Sequence, residues 1–60
     1  MDKADRKLLL SYAEAIKRVS TMLREAEGVE KNDDYRRFFR QVAEDLEHVT
    51  VDFEDTIVRL

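Results

Sequence analysis

Tyr35-Arg36-Arg37-Phe38-Phe39-Arg40-Gln41-Val42-Ala43-Glu44-Asp45-Leu46-Glu47-His48-Val49 decides the fold of this chain. Its apolar members Tyr35, Phe39, Val42, Leu46 and Val49 recur at alternating steps of four and three, and the series continues through Phe53, Thr56 and Leu60. A strand alternates every second residue, so this spacing is one stripe of a helix in a heptad, coiled-coil pattern. Upstream, Leu9, Tyr12, Ile16, Val19, Leu23 and Ala26 repeat the same steps and predict a second helix. Between the stripes, Glu27-Gly28-Val29-Glu30-Lys31-Asn32-Asp33 carries the only glycine of the chain. Gly28 is suited to the left-handed conformation that ends many helices, with Val29 placed to fold back on the last turn. Asn32 or Asp33 is suited to cap the second helix and Asp2 the first, while Asp5 and Asp34 place negative charge where the helix dipole favours it. Helix one is therefore expected over about 2–27, the turn over about 28–32 and helix two over about 33–59. At ~1.5 Å per residue each helix is about 40 Å long.

The expected fold class is all-α. A connection of a few residues can reverse the chain but cannot carry it back along a helix of that length, so the two helices form an antiparallel hairpin. Each apolar stripe is wider than a two-helix seam needs. Leu8, Ala15 and Met22 flank the first; Ala43, Thr50 and Ile57 flank the second, with Phe38 on its other side. A lone hairpin would leave part of this surface in water, and the expected remedy is a homodimer that closes into a four-helix bundle. Leu9, Tyr12, Ile16, Val19, Leu23, Phe39, Val42, Leu46, Val49 and Phe53 are its expected core and dimer residues. The register of the hairpin stays open at this stage, with Leu9 opposite Val49, Phe53 or Thr56. Another protein supplying the missing helices would satisfy the same pattern.

Composition narrows the function classes. The 60 residues are 43% hydrophobic and 42% charged, with one Gly, no Pro and no Cys, which leaves little for long loops and nothing for disulfides or thiolate chemistry. The longest apolar run, Leu8-Leu9-Leu10, is far below the ~20 residues of a membrane helix, and no targeting segment is visible, so a cytoplasmic location without membrane contact is the expectation. The net charge of -3 argues against wholesale attraction to nucleic acid. Charge is nevertheless uneven: residues 17–40 carry +2 and residues 41–60 carry -5, so the turn end is basic and the open end acidic. That polarity favours a dimer with the two turns at opposite ends.

Little in the chain points to chemistry. His48 is the only histidine, and Asp45-Leu46-Glu47-His48 has the acid-x-x-His spacing of di-iron bundles. Asp45 and His48 flank the stripe on opposite sides of Leu46 and Val49, and no second such motif exists. The reading is an exposed histidine beside Glu44 or Asp52, with no metal. Val49-Thr50-Val51 after His48 matches no phosphotransfer motif, Ser11 and Ser20 lack an activating histidine within a turn, and there is no glycine-rich phosphate loop. No catalytic residue, cofactor or small-molecule substrate is expected. Asp2 and Arg6, Glu14 and Arg18, Asp33 and Arg37, and Asp55 and Arg59 have the i, i+4 spacing of helix-supporting ion pairs.

Two further surfaces stand out. Leu10, Val51 and Val58 are apolar residues outside both stripes and form a candidate partner surface at the open end. Lys3, Lys17, Arg18 and Arg24, or alternatively Arg36, Arg37 and Arg40 with their flanking aromatics, form a candidate nucleic-acid surface. The length, the opening Met1-x-Lys3 and two heptad helices around one short turn resemble the Rop family of plasmid RNA modulators. The resemblance implies a dimeric four-helix bundle that binds paired RNA loops across the exposed face of its first helices. Lys3 matches that basic face, whereas Leu10, Glu14 and Glu25 depart from it. The leading expectation is a non-enzymatic protein-interaction module, an adaptor or regulatory and assembly factor; the alternative is a Rop-like RNA or nucleic-acid modulator.

Overall fold

The structure, a computed structural model, describes residues 2–60; Met1, and with it the first position of the Met1-x-Lys3 opening, lies outside the described residues. Two helices, α1 (Lys3–Val29) and α2 (Asp33–Arg59), pack as an antiparallel hairpin. Both begin as their sequences dictate. Asp2, in an extended conformation, accepts a hydrogen bond from the Ala4 N–H, and the Asn32 side chain accepts from the N–H groups of Asp34 and Tyr35. These side chains satisfy donors that have no partner inside the helix. Asn32, not Asp33, is thus the cap of α2, and Asp33 and Asp34 lie in its first turn.

The turn differs from the expected one. Gly28 is the penultimate residue of α1, its φ is negative, and the connection is only Glu30-Lys31-Asn32. The Glu30 carboxylate accepts from the N–H groups of Lys31 and Asn32, while the Glu30 N–H donates to the Ala26 carbonyl. A side-chain-bridged turn therefore performs the reversal for which a left-handed glycine was expected. Val29 does not fold back on the helix and is exposed.

The hairpin contact lies to one side of the predicted stripes. Buried at the seam are Ala13 and Ser20 from α1 and Ala43, Thr50 and Ile57 from α2. Large members of the stripes, Leu9, Ile16 and Leu23 with Phe39, Leu46 and Phe53, are only half-buried. Size explains the choice. Small side chains at four of the five positions let two backbones approach toward the short end of the ~8–10 Å interaxial range; Ile57 fits across from Ala13, and the other large side chains lie to the sides. The two buried hydroxyls are satisfied within their own helices: Ser20 Oγ donates to the Ile16 carbonyl at 3.2 Å and Thr50 Oγ1 to the Leu46 carbonyl at 2.7 Å. No buried side-chain polar atom among the described residues lacks a partner.

Cross-helix ion pairs define the register. Lys17 pairs with Glu54 at 2.9 Å, and one heptad along α1 and back along α2, Arg24 pairs with Glu47 at 2.8 Å. Extrapolated toward the open end, this register sets Leu9 at or beyond the end of α2, past Val49, Phe53 and Thr56. The long axis is 46 Å and the radius of gyration 14.1 Å, against about 10 Å for a compact 60-residue chain. No helix among the described residues is long and apolar enough to cross a membrane.

Candidate interaction surface

Moving around α1 away from the seam, the rows run from Ala13 and Ser20 through Leu9, Ile16 and Leu23 to Tyr12, Val19 and Ala26, and then to Leu8, Ala15 and Met22. Around α2 the matching order is Ala43, Thr50 and Ile57, then Phe39, Leu46 and Phe53, then Val42, Val49 and Thr56. Because the helices are antiparallel, identical rotational orders turn toward the same side of the pair. The uncovered parts of both stripes therefore merge into one apolar front face. Val19 retains 47% of its surface and Val49 53%, and Tyr12, Met22, Tyr35 and Phe38 are also exposed.

The accessible surface is large for the mass of the chain. The chain exposes 4827 Å², whereas a folded monomer of 7.1 kDa is expected to expose about 4,100 Å² by the mass scaling of globular proteins. The excess, about 700 Å², follows from the elongated two-helix shape, which leaves more of both helices in water than a compact fold does. Of the ten expected core and dimer residues, Leu9, Ile16, Leu23, Phe39, Val42, Leu46 and Phe53 are half-buried at the boundary of seam and front face. Tyr12, Val19 and Val49 lie on the front face itself. Ala13 and Ser20 are absent from that expectation. Their signal was the i, i+7 spacing of small residues, Ser20 across from Thr50 and Ala13 across from Ile57, which a count of apolar residues passes over because serine is polar and alanine adds little.

The opposite, rear face is stitched by charge. The Arg24 guanidinium makes a two-pronged contact, Nη2 and Nε donating to the two Glu47 oxygens at 2.8 and 3.1 Å. That fork holds the Glu47 carboxyl below the usual carboxylate range and raises Arg24 further. Glu54 hydrogen-bonds Lys17 and raises its ammonium pKa. Glu27, the next heptad position after Ala13 and Ser20, is half-buried and accepts from Arg40 Nε. Along single helices the ion pairs are i, i+3: Glu14 with Lys17, Arg24 with Glu27, Asp33 with Arg36 and Asp34 with Arg37. Among the described residues, the expected i, i+4 pairs Asp2–Arg6, Glu14–Arg18, Asp33–Arg37 and Asp55–Arg59 are not formed. Short aspartates near the start of α2 reach the arginine one residue nearer instead.

These contacts bear on the candidate nucleic-acid residues. Lys17, Arg24, Arg36, Arg37 and Arg40 each pair with a carboxylate, so their charge is locally neutralised, whereas Lys3 and Arg18 are exposed. The structure does not gather the seven into one basic surface; α1 and α2 carry them at several angles around the rear and outer faces. Leu10, Val51 and Val58 are exposed on the rear side, with Val51 beside the Lys17–Glu54 pair. His48 is exposed on the outside of α2, and the Asp45 carboxylate accepts from the Gln41 amide at 3.0 Å. Among the described residues, no group of three or more His, Asp or Glu side chains is arranged to hold a metal ion. An apolar recess at the turn end is formed by Tyr35, Phe38 and Phe39 beside Glu30, the two phenyl rings 6.1 Å apart and tilted. No protein-family model, curated protein or solved structure matches the chain.

Proposed function

We propose that this chain is a non-enzymatic, cytoplasmic interaction module that homodimerises through its front face into a four-helix bundle and presents its outer faces to a regulatory or assembly partner. The observation that carries the reading is the single apolar face on which both half-used stripes converge. A hairpin alone buries small residues and Ile57 at its seam and leaves the large residues beside it partly in water, so a further share of hydrophobic stabilisation is available to a partner. Folding and association are therefore coupled: ordering 60 residues is offset only when Leu9, Ile16, Leu23, Phe39, Leu46 and Phe53 are covered from the front. A second copy is the occupant because it brings an apolar face of the same length, and closed two-fold pairing is the commonest way such a face is satisfied.

Sedimentation equilibrium with circular dichroism over a wide concentration range tests this. Helicity and mass rising together to a dimer is the expected result. A stably folded monomer at all concentrations would overturn it, and an unfolded monomer would assign the face to a different protein.

A further inference from the structure

We infer that the two copies associate with their turns at opposite ends, so that α1 packs against α1 of the second copy and the α2 helices flank a wetter seam. The inference rests on the homodimer proposed above and adds its orientation. It comes from an asymmetry between the two outer flanks of the front face. On α1 the flanking i, i+7 row is Leu8, Ala15, Met22 and Val29, apolar throughout and exposed or half-exposed. On α2 the corresponding row is Phe38, Asp45, Asp52 and Arg59, polar at three of four positions and exposed.

Two orientations keep every neighbouring helix antiparallel, and they pair these rows differently. With turns together, each α1 row lies along an α2 row of the other copy. The hairpin's own register, bracketed by the Lys17–Glu54 and Glu27–Arg40 offsets, would then set Ala15 and Met22 among Asp45, Asp52 and Arg59, so charged groups would border most of the apolar row. With turns opposed, the α1 row meets its own reversed copy, Leu8 beside Val29 and Ala15 beside Met22. Large residues face small or terminal ones, and the whole row is removed from water. The charged α2 rows then face each other across a seam that stays hydrated, with Phe38 beside Arg59 and Asp45 beside Asp52, a like-charge pairing that the water of the seam screens. The apolar row is covered by apolar side chains only in this second arrangement, and the charged row is left in water. The charge along the hairpin acts in the same direction, setting the +2 turn half of one copy against the acidic half of the other.

The chain has no cysteine, so a single introduced thiol reports without background. Lys31 is exposed in the turn, and its side chain takes part in none of the contacts described. A nitroxide on Lys31→Cys should show an inter-label distance of about 40 Å, nearly the 46 Å length of the hairpin. Turns together would give about 20 Å, two helix spacings of ~10 Å. A second variant, Ala15→Cys with Met22→Cys, should oxidise to a covalent dimer, since seven residues of helix hold the two thiols of one chain too far apart to join. A dimer with the short distance and no cross-link would overturn the orientation while leaving the homodimer standing. A Lys31→Cys chain that sediments as a monomer would overturn both.

Discussion

Truncating Val19 and Val49 to alanine together is the most direct probe of the front face, because both occupy it and neither lines the hairpin seam. About half of each side chain is already covered in the hairpin, so a dimer gains only the remainder. Removing two methyl groups from a half-covered valine forfeits about 0.8 kcal/mol, half of the ~0.8 kcal/mol per group for full burial. Two sites in each of two copies sum to about 3 kcal/mol of association free energy, or a dimer dissociation constant weakened roughly 200-fold at 1.4 kcal/mol per decade. The assay is sedimentation velocity across a dilution series, with helicity followed in the same samples. Val51→Ala with Val58→Ala is the matched control: these valines are 58% and 77% exposed, of the same type and on α2, but on the rear. Their truncation should leave the dissociation constant within about threefold of the parent, since a valine exposed in both states changes little. Equal weakening by front and rear pairs, or none by the front pair, would refute the assignment of the front face as the interface.

Other consequences concern the hairpin itself. Ile57 is the largest fully buried side chain, and Ile57→Ala should cost about 2–4 kcal/mol of the ~3–9 kcal/mol expected for a unit of this size; a urea midpoint unchanged from the parent would contradict the seam described above. Ser20→Ala should raise stability by about 0.5 kcal/mol, because alanine is the better helix former and the lost hydroxyl bonded only its own helix; a lower urea midpoint would show that the hydroxyl has a further role. The Glu47 carboxyl is depressed by Arg24, so its contribution is present above the ordinary carboxylate pKa of about 4.3 and is lost as pH falls through the lower folded value. Glu47→Gln should therefore flatten the acid limb of the stability profile, and parallel limbs for variant and parent would remove this pair from the account. Lys17, raised by Glu54, acts in the opposite direction: its contribution is full below about pH 10 and disappears as pH rises through the folded value, a loss that Glu54→Gln should abolish in an alkaline melt series.

Much of this architecture was legible in the residues. The 3,4 spacing of Leu9 to Ala26 and of Tyr35 to Leu60 determined two helices, Asp2 and the Asn32-Asp33 pair marked where they start, and a turn expected over about 28–32 left antiparallel packing as the only outcome. Excess stripe width announced an uncovered face. What the periodicity left open was which part of each stripe meets the other helix, because an apolar arc of nearly half the circumference can be turned either way without changing its spacing. Tertiary packing decided it through size: Ala13, Ser20, Ala43 and Thr50 admit close backbone approach and leave room at the seam for one branched side chain, Ile57, while Ile16 and Leu46 lie beside it. Register followed from the same rotation, since it places Lys17 against Glu54 and Arg24 against Glu47 across a gap that single-helix spacing cannot reveal. The turn, too, depended on three dimensions, where the Glu30 carboxylate could bridge two backbone donors and release Gly28 to remain helical.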